Sequence, residues 1–141
     1  MLSQRGMTII ELVVLVLILT VLTSIAIPKF IEASIKNKMW DGMSTLMTYE
    51  SAQLAYLAQS GAIGPVDSLV FKADSSDYFF FSQDGIGYFK ATAKIKIGRF
   101  KAGSWLRTTI DTTGGMPRIR RSCSKNDSLI AKKYIAHYFR K

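Results

Sequence analysis

The sequence predicts an α+β fold: a long N-terminal helix, membrane-spanning in its first half and amphipathic in its second, packed on a small antiparallel sheet. Three observations predict it. Ile9 to Ile27 is an almost unbroken aliphatic run with one ionisable residue, Glu11. Apolar residues then recur at helical spacing from Ile31 to Leu57. Beyond a Gly/Pro break the apolar period falls to two, the repeat of a half-buried strand.

The aliphatic run of 19 residues spans roughly 28 Å as a helix, close to the ~30 Å hydrocarbon core of a bilayer. Lipid offers the backbone no hydrogen-bond partners, so a helix is the form that satisfies it. Thr20, Thr23 and Ser24 can bond back to carbonyls of the same helix. Pro28 should bend the helix rather than end it, because the apolar stripe resumes at once. That stripe runs through Ile31, Ile35, Met39, Met43, Leu46, Met47, Leu54 and Leu57, against Glu32, Lys36, Lys38, Asp41, Thr45, Thr48 and Gln59 on the other face. It should stop near Ser60-Gly61, with Gly64-Pro65 beyond. A stripe rich in methionine reads as packing, since the flexible thioether fills irregular gaps.

Downstream, Phe89, Ala91, Ala93, Ile95 and Ile97 alternate with Lys90, Thr92, Lys94 and Lys96, predicting one strand over the whole stretch. Tyr78 to Phe81 predicts a second, joined to it through Asp84-Gly85-Ile86-Gly87. Trp105 to Thr112 predicts a third, closed by Gly114-Gly115. The sum is a meander of three or four antiparallel strands, one face covered by the long helix. From Ser124 the tail reads as a short helix with Asn126 or Asp127 as cap and Leu129, Ile130, Tyr134, Ile135, Tyr138 and Phe139 as apolar positions.

A chain of 141 residues accommodates one small domain and one extra element. Its charge is split. Residues 1 to 89 carry a net of −3 and residues 90 to 141 a net of +12, within a total of +9. The densest basic cluster is Arg118, Arg120, Arg121 and Lys125, followed by Lys132, Lys133, Arg140 and Lys141, with Tyr134 and Tyr138 nearby. Such a cluster suits phosphate contact that weakens with salt, or equally a solvated, partner-facing surface. Cys123 and His137 are the only residues of their kinds, so an internal disulfide is excluded and a zinc site is short of ligands. Asp74-Ser75-Ser76-Asp77 reads as turn chemistry in preference to a calcium loop, which needs about six to eight oxygens. There is no phosphate-binding Gly loop, nucleophile elbow or paired-histidine zinc helix. No catalytic residues, metal or cofactors are expected.

Three readings of the aliphatic run compete. A removable signal peptide would cut after Ser24-Ile25-Ala26, but the run is longer than the usual 7 to 15 residues or so and carries a carboxylate near its start. A plain single-pass anchor is the second. The third comes from Gly6-Met7-Thr8-Ile9-Ile10-Glu11-Leu12, which closely resembles the prepilin cleavage motif of type IV pilins and type II secretion pseudopilins. In that family a short basic leader ends in glycine, a hydrophobic residue becomes the mature N-terminus, and the fifth mature residue is glutamate. Here these are Gly6, Met7 and Glu11, with Arg5 as the leader's charge. Ile25-Ala26-Ile27-Pro28 resembles the family's close of the membrane segment. Thr20 departs from the pattern, standing where many members have a helix-loosening glycine.

The resemblance implies a division into leader (1–6), filament-core helix (7–28), amphipathic helix (29–60) and β-rich head (61–141). It implies a substrate of prepilin peptidase, cut after Gly6 and often methylated on the new Met7 amine. The subunit would be held in the inner membrane among lipid, head outward, then drawn by an inner-membrane assembly platform into a homo-oligomeric helical filament. Within it the Glu11 carboxylate would pair with a neighbour's Met7 amine; in the monomer it would snorkel to the headgroups. Gly6 and Met7 are thus the processing residues and Glu11 and Pro28 the assembly residues. The filament would be an extracellular pilus, a periplasmic secretion pseudopilus, or a DNA-capturing competence pilus in which Arg118, Arg120, Arg121 and Lys125 meet nucleic acid. Family members often pin the C-terminal loop with a disulfide; here apolar docking of the tail must replace it.

Overall fold

The computed structural model describes residues 6–73, 76–113 and 115–139. The expected leader, apart from Gly6, lies outside them, as do Asp74, Ser75, Gly114, Arg140 and Lys141. The chain forms an α+β fold of two units, Met1–Ser34 and Ile35–Lys141.

One helix, α1, covers Ile9–Ser60, with Pro28 inside it. Thr20, Thr23 and Ser24 do bond back: their hydroxyls donate to the carbonyls of Leu17, Leu19 and Val21 at 2.7, 2.9 and 2.7 Å. The helix stops where the sequence indicates. Gly61 takes φ of +73°, and its N–H closes on the Leu57 carbonyl at 2.8 Å, the left-handed cap that a side chain resists.

In the unit from Ile35 onward, the helix packs on a four-stranded antiparallel sheet of order β1-β2-β3-β4. The strands are β1 (Phe79–Gly85), β2 (Tyr88–Ala93), β3 (Trp105–Asp111) and β4 (Arg118–Cys123). Met39, Met43, Leu46 and Tyr49 of the helix are fully buried with Phe79, Phe89, Ala91, Leu106 and Ile110 of the sheet. Tyr49 stacks on Phe89 at 4.6 Å between ring centroids. Gly42 permits the close approach, since a Cβ there would stand 2.8 Å from the Phe79 ring.

Three sequence expectations change. The apolar stripe is rotated: Ile31 and Met47 are exposed, while Tyr49, Glu50 and Gln53 face inward. The strand expected to reach Ile97 ends at Ala93. After it the chain folds back so that Ile97 and Phe100 exchange backbone hydrogen bonds at 2.9 Å, with Gly98 at φ +60° in the turn between them. Ile97 is still buried, yet Ile95, which strict alternation would put inside, is exposed. The fourth strand, within the three or four expected, falls on the basic cluster, where Ile119 is its one aliphatic side chain.

The tail holds a second helix, α2 (Ser128–Tyr134), followed by a 3-10 turn over Ala136–Phe139. Ala131, Ile135 and Tyr138 are fully buried, while Leu129 faces solvent. Asp127 holds the cap position without a capping bond; its carboxylate instead accepts a hydrogen bond from the Ser104 hydroxyl.

Candidate functional site

At the start of α1, Thr8 and Glu11 form a reciprocal pair. The Thr8 N–H and hydroxyl both donate to Glu11 Oε2, at 2.8 and 2.9 Å. The Glu11 N–H donates to Thr8 Oγ1 at 3.3 Å, and the Thr8 carbonyl accepts from the Leu12 N–H at 3.2 Å. This is a capping box, in which a residue before the helix and the third residue within it satisfy each other's backbone donors. The Thr8-x-x-Glu11 spacing carried that signal, and the sequence reading passed over it. The carboxylate therefore closes its own helix, where the dipole favours a negative charge.

Gly6 and Met7 precede this box and are exposed. A Cβ on Gly6 would meet nothing within 4 Å, so no packing among the described residues requires glycine there. Ile10, Val14, Leu15, Ile18 and Leu19 line one face of the helix alongside Glu11. Every described residue from Gly6 to Ala33 is exposed. The helix is long and apolar enough to cross a membrane, with a mean hydropathy of 2.8 over its most apolar window. Pro28, which has no N–H, leaves the Ser24 carbonyl without its regular helical donor.

The four basic residues grouped by sequence separate in space. Arg118 and Arg120 are exposed on one face of β4, while Ile119 and Arg121 alternate to the other. Lys125 is exposed on the 3-10 turn that follows. Arg121 does not belong to a free basic surface. Its Nε and Nη2 donate to Glu50 Oε1 and Oε2 at 2.9 and 2.5 Å, and Nη1 donates to the Tyr138 carbonyl at 3.0 Å. Thr108 adds a hydrogen bond to Glu50 Oε1 at 2.6 Å. Glu50 is 3% exposed, so this fork joins helix, sheet and tail beneath the surface. The Arg121 pKa is held up by the Glu50 hydrogen bonds.

Tail docking without a disulfide follows from the same residues. The Arg121 guanidinium lies 5.1 Å from the Tyr138 ring centroid, and Tyr138 is fully buried. Gln53, inward like Glu50, donates to the Gly64 carbonyl at 2.6 Å and to the Tyr49 hydroxyl at 3.0 Å, pinning the loop that leaves α1.

Among the described residues there is no group of three or more Cys, His, Asp or Glu suited to hold a metal. Ser76 serves its turn: its hydroxyl donates to Asp41 and accepts from the N–H groups of Tyr78 and Phe79 at 3.1 and 3.0 Å. Burial pushes the Cys123 thiol pKa up, away from the thiolate that nucleophilic chemistry requires. The His137 ring packs 4.9 Å from Trp40. No protein-family model, curated protein or solved structure matches this chain.

Proposed function

We propose that this chain is a structural subunit of a filament like those built from type IV pilins, and not an enzyme. One observation carries the reading: the apolar stretch that opens α1 is of membrane-spanning length and exposed throughout, and its carboxylate, Glu11, is the fifth residue counted from Met7. Apolar surface on that scale is driven from water. A bilayer covers it before assembly, and the same helix of other copies covers it afterwards. The subunit waits in the bacterial inner membrane, head outward, until the assembly platform adds it to an extracellular pilus. A periplasmic secretion pseudopilus would use the same parts.

Processing removes Met1 to Gly6 and creates an amine on Met7. The capping box holds the Glu11 carboxylate at this end of the helix, where an incoming amine from another copy can compete for it. Because a Cβ on Gly6 would meet nothing among the described residues, its requirement is the peptidase's approach to the backbone.

Intact-mass measurement of the membrane-extracted protein should give a chain starting at Met7, with Arg5 lost and the charge reduced from the +9 of the full sequence. Gly6→Val should block the cut and leave the fold intact. Glu11→Val should insert as well as the parent, since a charge in a membrane helix is costly, yet sheared filaments should disappear while monomer remains. Removing one partner of a buried pair costs about 3–5 kcal/mol. Thr8→Val separates the two roles of Glu11, because it weakens the cap and leaves the carboxylate. Filaments lost equally in both variants would reduce Glu11 to a helix cap, and normal filaments from Glu11→Val would remove the pairing altogether.

A further inference from the structure

The sheet has one face buried under α1 and another facing outward. Strand register assigns residues to the outer face. Thr92 stands between Phe80 and Trp105, Thr109 between Tyr88 and Arg120, and Arg107 between Lys90 and Ser122. Their neighbours along β2 and β3, Phe89, Ala91, Leu106, Thr108 and Ile110, are the buried ones. Three aromatic rings thus lie outside the hydrophobic core of the described residues. Phe80 is 63% and Tyr88 43% exposed, and the Trp105 indole is half-buried.

Cations are interleaved with these rings. The Arg107 guanidinium lies 4.8 Å from the Trp105 ring centroid, and its buried Nε has no hydrogen-bond partner. Arg120 and Arg118 continue the row of positive charge along β4. Two carboxylates share the face. Asp84 pairs with Lys90 at 2.9 Å, and Asp111, opposite Arg118, accepts from the Thr113 N–H at 2.9 Å. The arginines outnumber what these carboxylates neutralise.

We propose that this open sheet face binds single-stranded nucleic acid, with bases stacking on the Trp105–Arg107 pair and on Tyr88 while Arg118 and Arg120 hold phosphates. Aromatic side chains and guanidinium planes on an open antiparallel sheet stack unpaired bases, and flanking cations track the backbone. A duplex keeps its bases stacked inside and would use the arginines alone. A lipid surface calls for protruding rings free to insert, whereas Trp105 lies against the Arg107 guanidinium and the Lys94 ammonium stands 4.7 Å from the centroid of the exposed Phe80 ring. The mechanism goes beyond phosphate contact, and its residues differ from the cluster read in the sequence: Arg121 is withdrawn into the core, and Arg107 with the three rings takes its place. The face is complete within one chain, so its binding is independent of whether copies assemble.

The test uses the full chain in neutral detergent micelles with a labelled oligothymidylate of roughly 15 nucleotides, read by fluorescence anisotropy across a salt series. Binding should tighten as salt falls, with a log–log slope of about −1.4 for the two phosphate contacts at about 0.7 each. The single strand should bind more tightly than a duplex of equal length. Trp105→Leu should weaken it roughly 5- to 150-fold, and Trp105→Phe far less. Arg120→Gln should weaken binding and flatten the slope by about 0.7, while Lys132→Gln on α2 leaves both unchanged. Thermal midpoints of the variants, taken beside each titration, separate lost binding from lost fold. The proposal is overturned by a duplex bound as tightly as the single strand, or by Trp105→Leu binding normally in a folded chain. It is equally overturned by no binding at about 50 mM salt, or by anionic vesicles captured through these same residues while the oligonucleotide is ignored.

Discussion

Two of the carboxylates on helix α1, Glu11 and Glu50, stand in opposite circumstances. Glu11 lies in a stretch where every described residue is exposed, and it accepts hydrogen bonds from Thr8, three residues away. Glu50 lies 3% exposed under the sheet, and its partners are Thr108 and Arg121, 58 and 71 residues away. The difference teaches where each half of the helix finds its environment. Glu50 is satisfied by the chain's own tertiary structure, so its half of the helix is complete within one chain. Among the described residues Glu11 is satisfied by Thr8 at its own first turn, and the apolar residues around it are exposed.

The largest expected effect comes from breaking the inner pair. Arg121→Ala leaves a buried carboxylate without its cation and should cost about 3–5 kcal/mol, read as a fall in the denaturant midpoint of the detergent-solubilised full chain by near-UV circular dichroism. Adding Glu50→Leu to Arg121→Ala should recover much of the loss, since the unpaired charge is then gone. Glu11→Gln should leave that midpoint where it was. A single variant as mild as the double one would show that the pair holds nothing together.

A smaller effect separates the two halves by their packing. Gly42→Val pushes side-chain atoms into the Phe79 ring, which already stands 2.8 Å from an ideal Cβ, and overpacking of this kind costs about 1–3 kcal/mol. Ala26→Val, on the exposed stretch, should leave the same midpoint unchanged. Equal responses at the two positions would erase the contrast.

The smallest effect is a pH dependence confined to the packed half. Burial raises the pKa of Tyr138, Tyr49 and Cys123 above their unfolded values. The unfolded chain therefore loses these protons first, and the contribution is complete below the unfolded pKa values. It declines as pH rises past the ordinary thiol value of 9.0 and the phenol value of 10.0, until the folded groups also titrate. A thermal midpoint falling above about pH 9, less steeply in Tyr138→Phe, is the expected record. A Tyr138→Phe profile superimposable on the parent's would remove Tyr138 from the account.

The sequence by itself determined the features that depend on spacing along the chain. The aliphatic run marks a helix of membrane length, Ser60-Gly61 marks its end, and alternation from Phe89 to Ala93 marks β2, because each repeat is imposed by the local backbone period. The capping box was equally local, legible in Thr8-x-x-Glu11 though unread. Glu50 and Gln53 fall on the helical line that continues Met43 and Leu46, a placement that marks polar residues on a buried face without naming their partners. Only the tertiary structure decided those partners, along with the inward turn of Arg121 among arginines that sequence cannot tell apart, the fold of the tail onto Tyr138, and the outer face that gathers Arg107 with Trp105, Tyr88 and Phe80. Such groupings join residues far apart in the chain, and strand register fixes which side each one faces: a slip of one residue along β4 would have exposed Arg121 and buried Arg120.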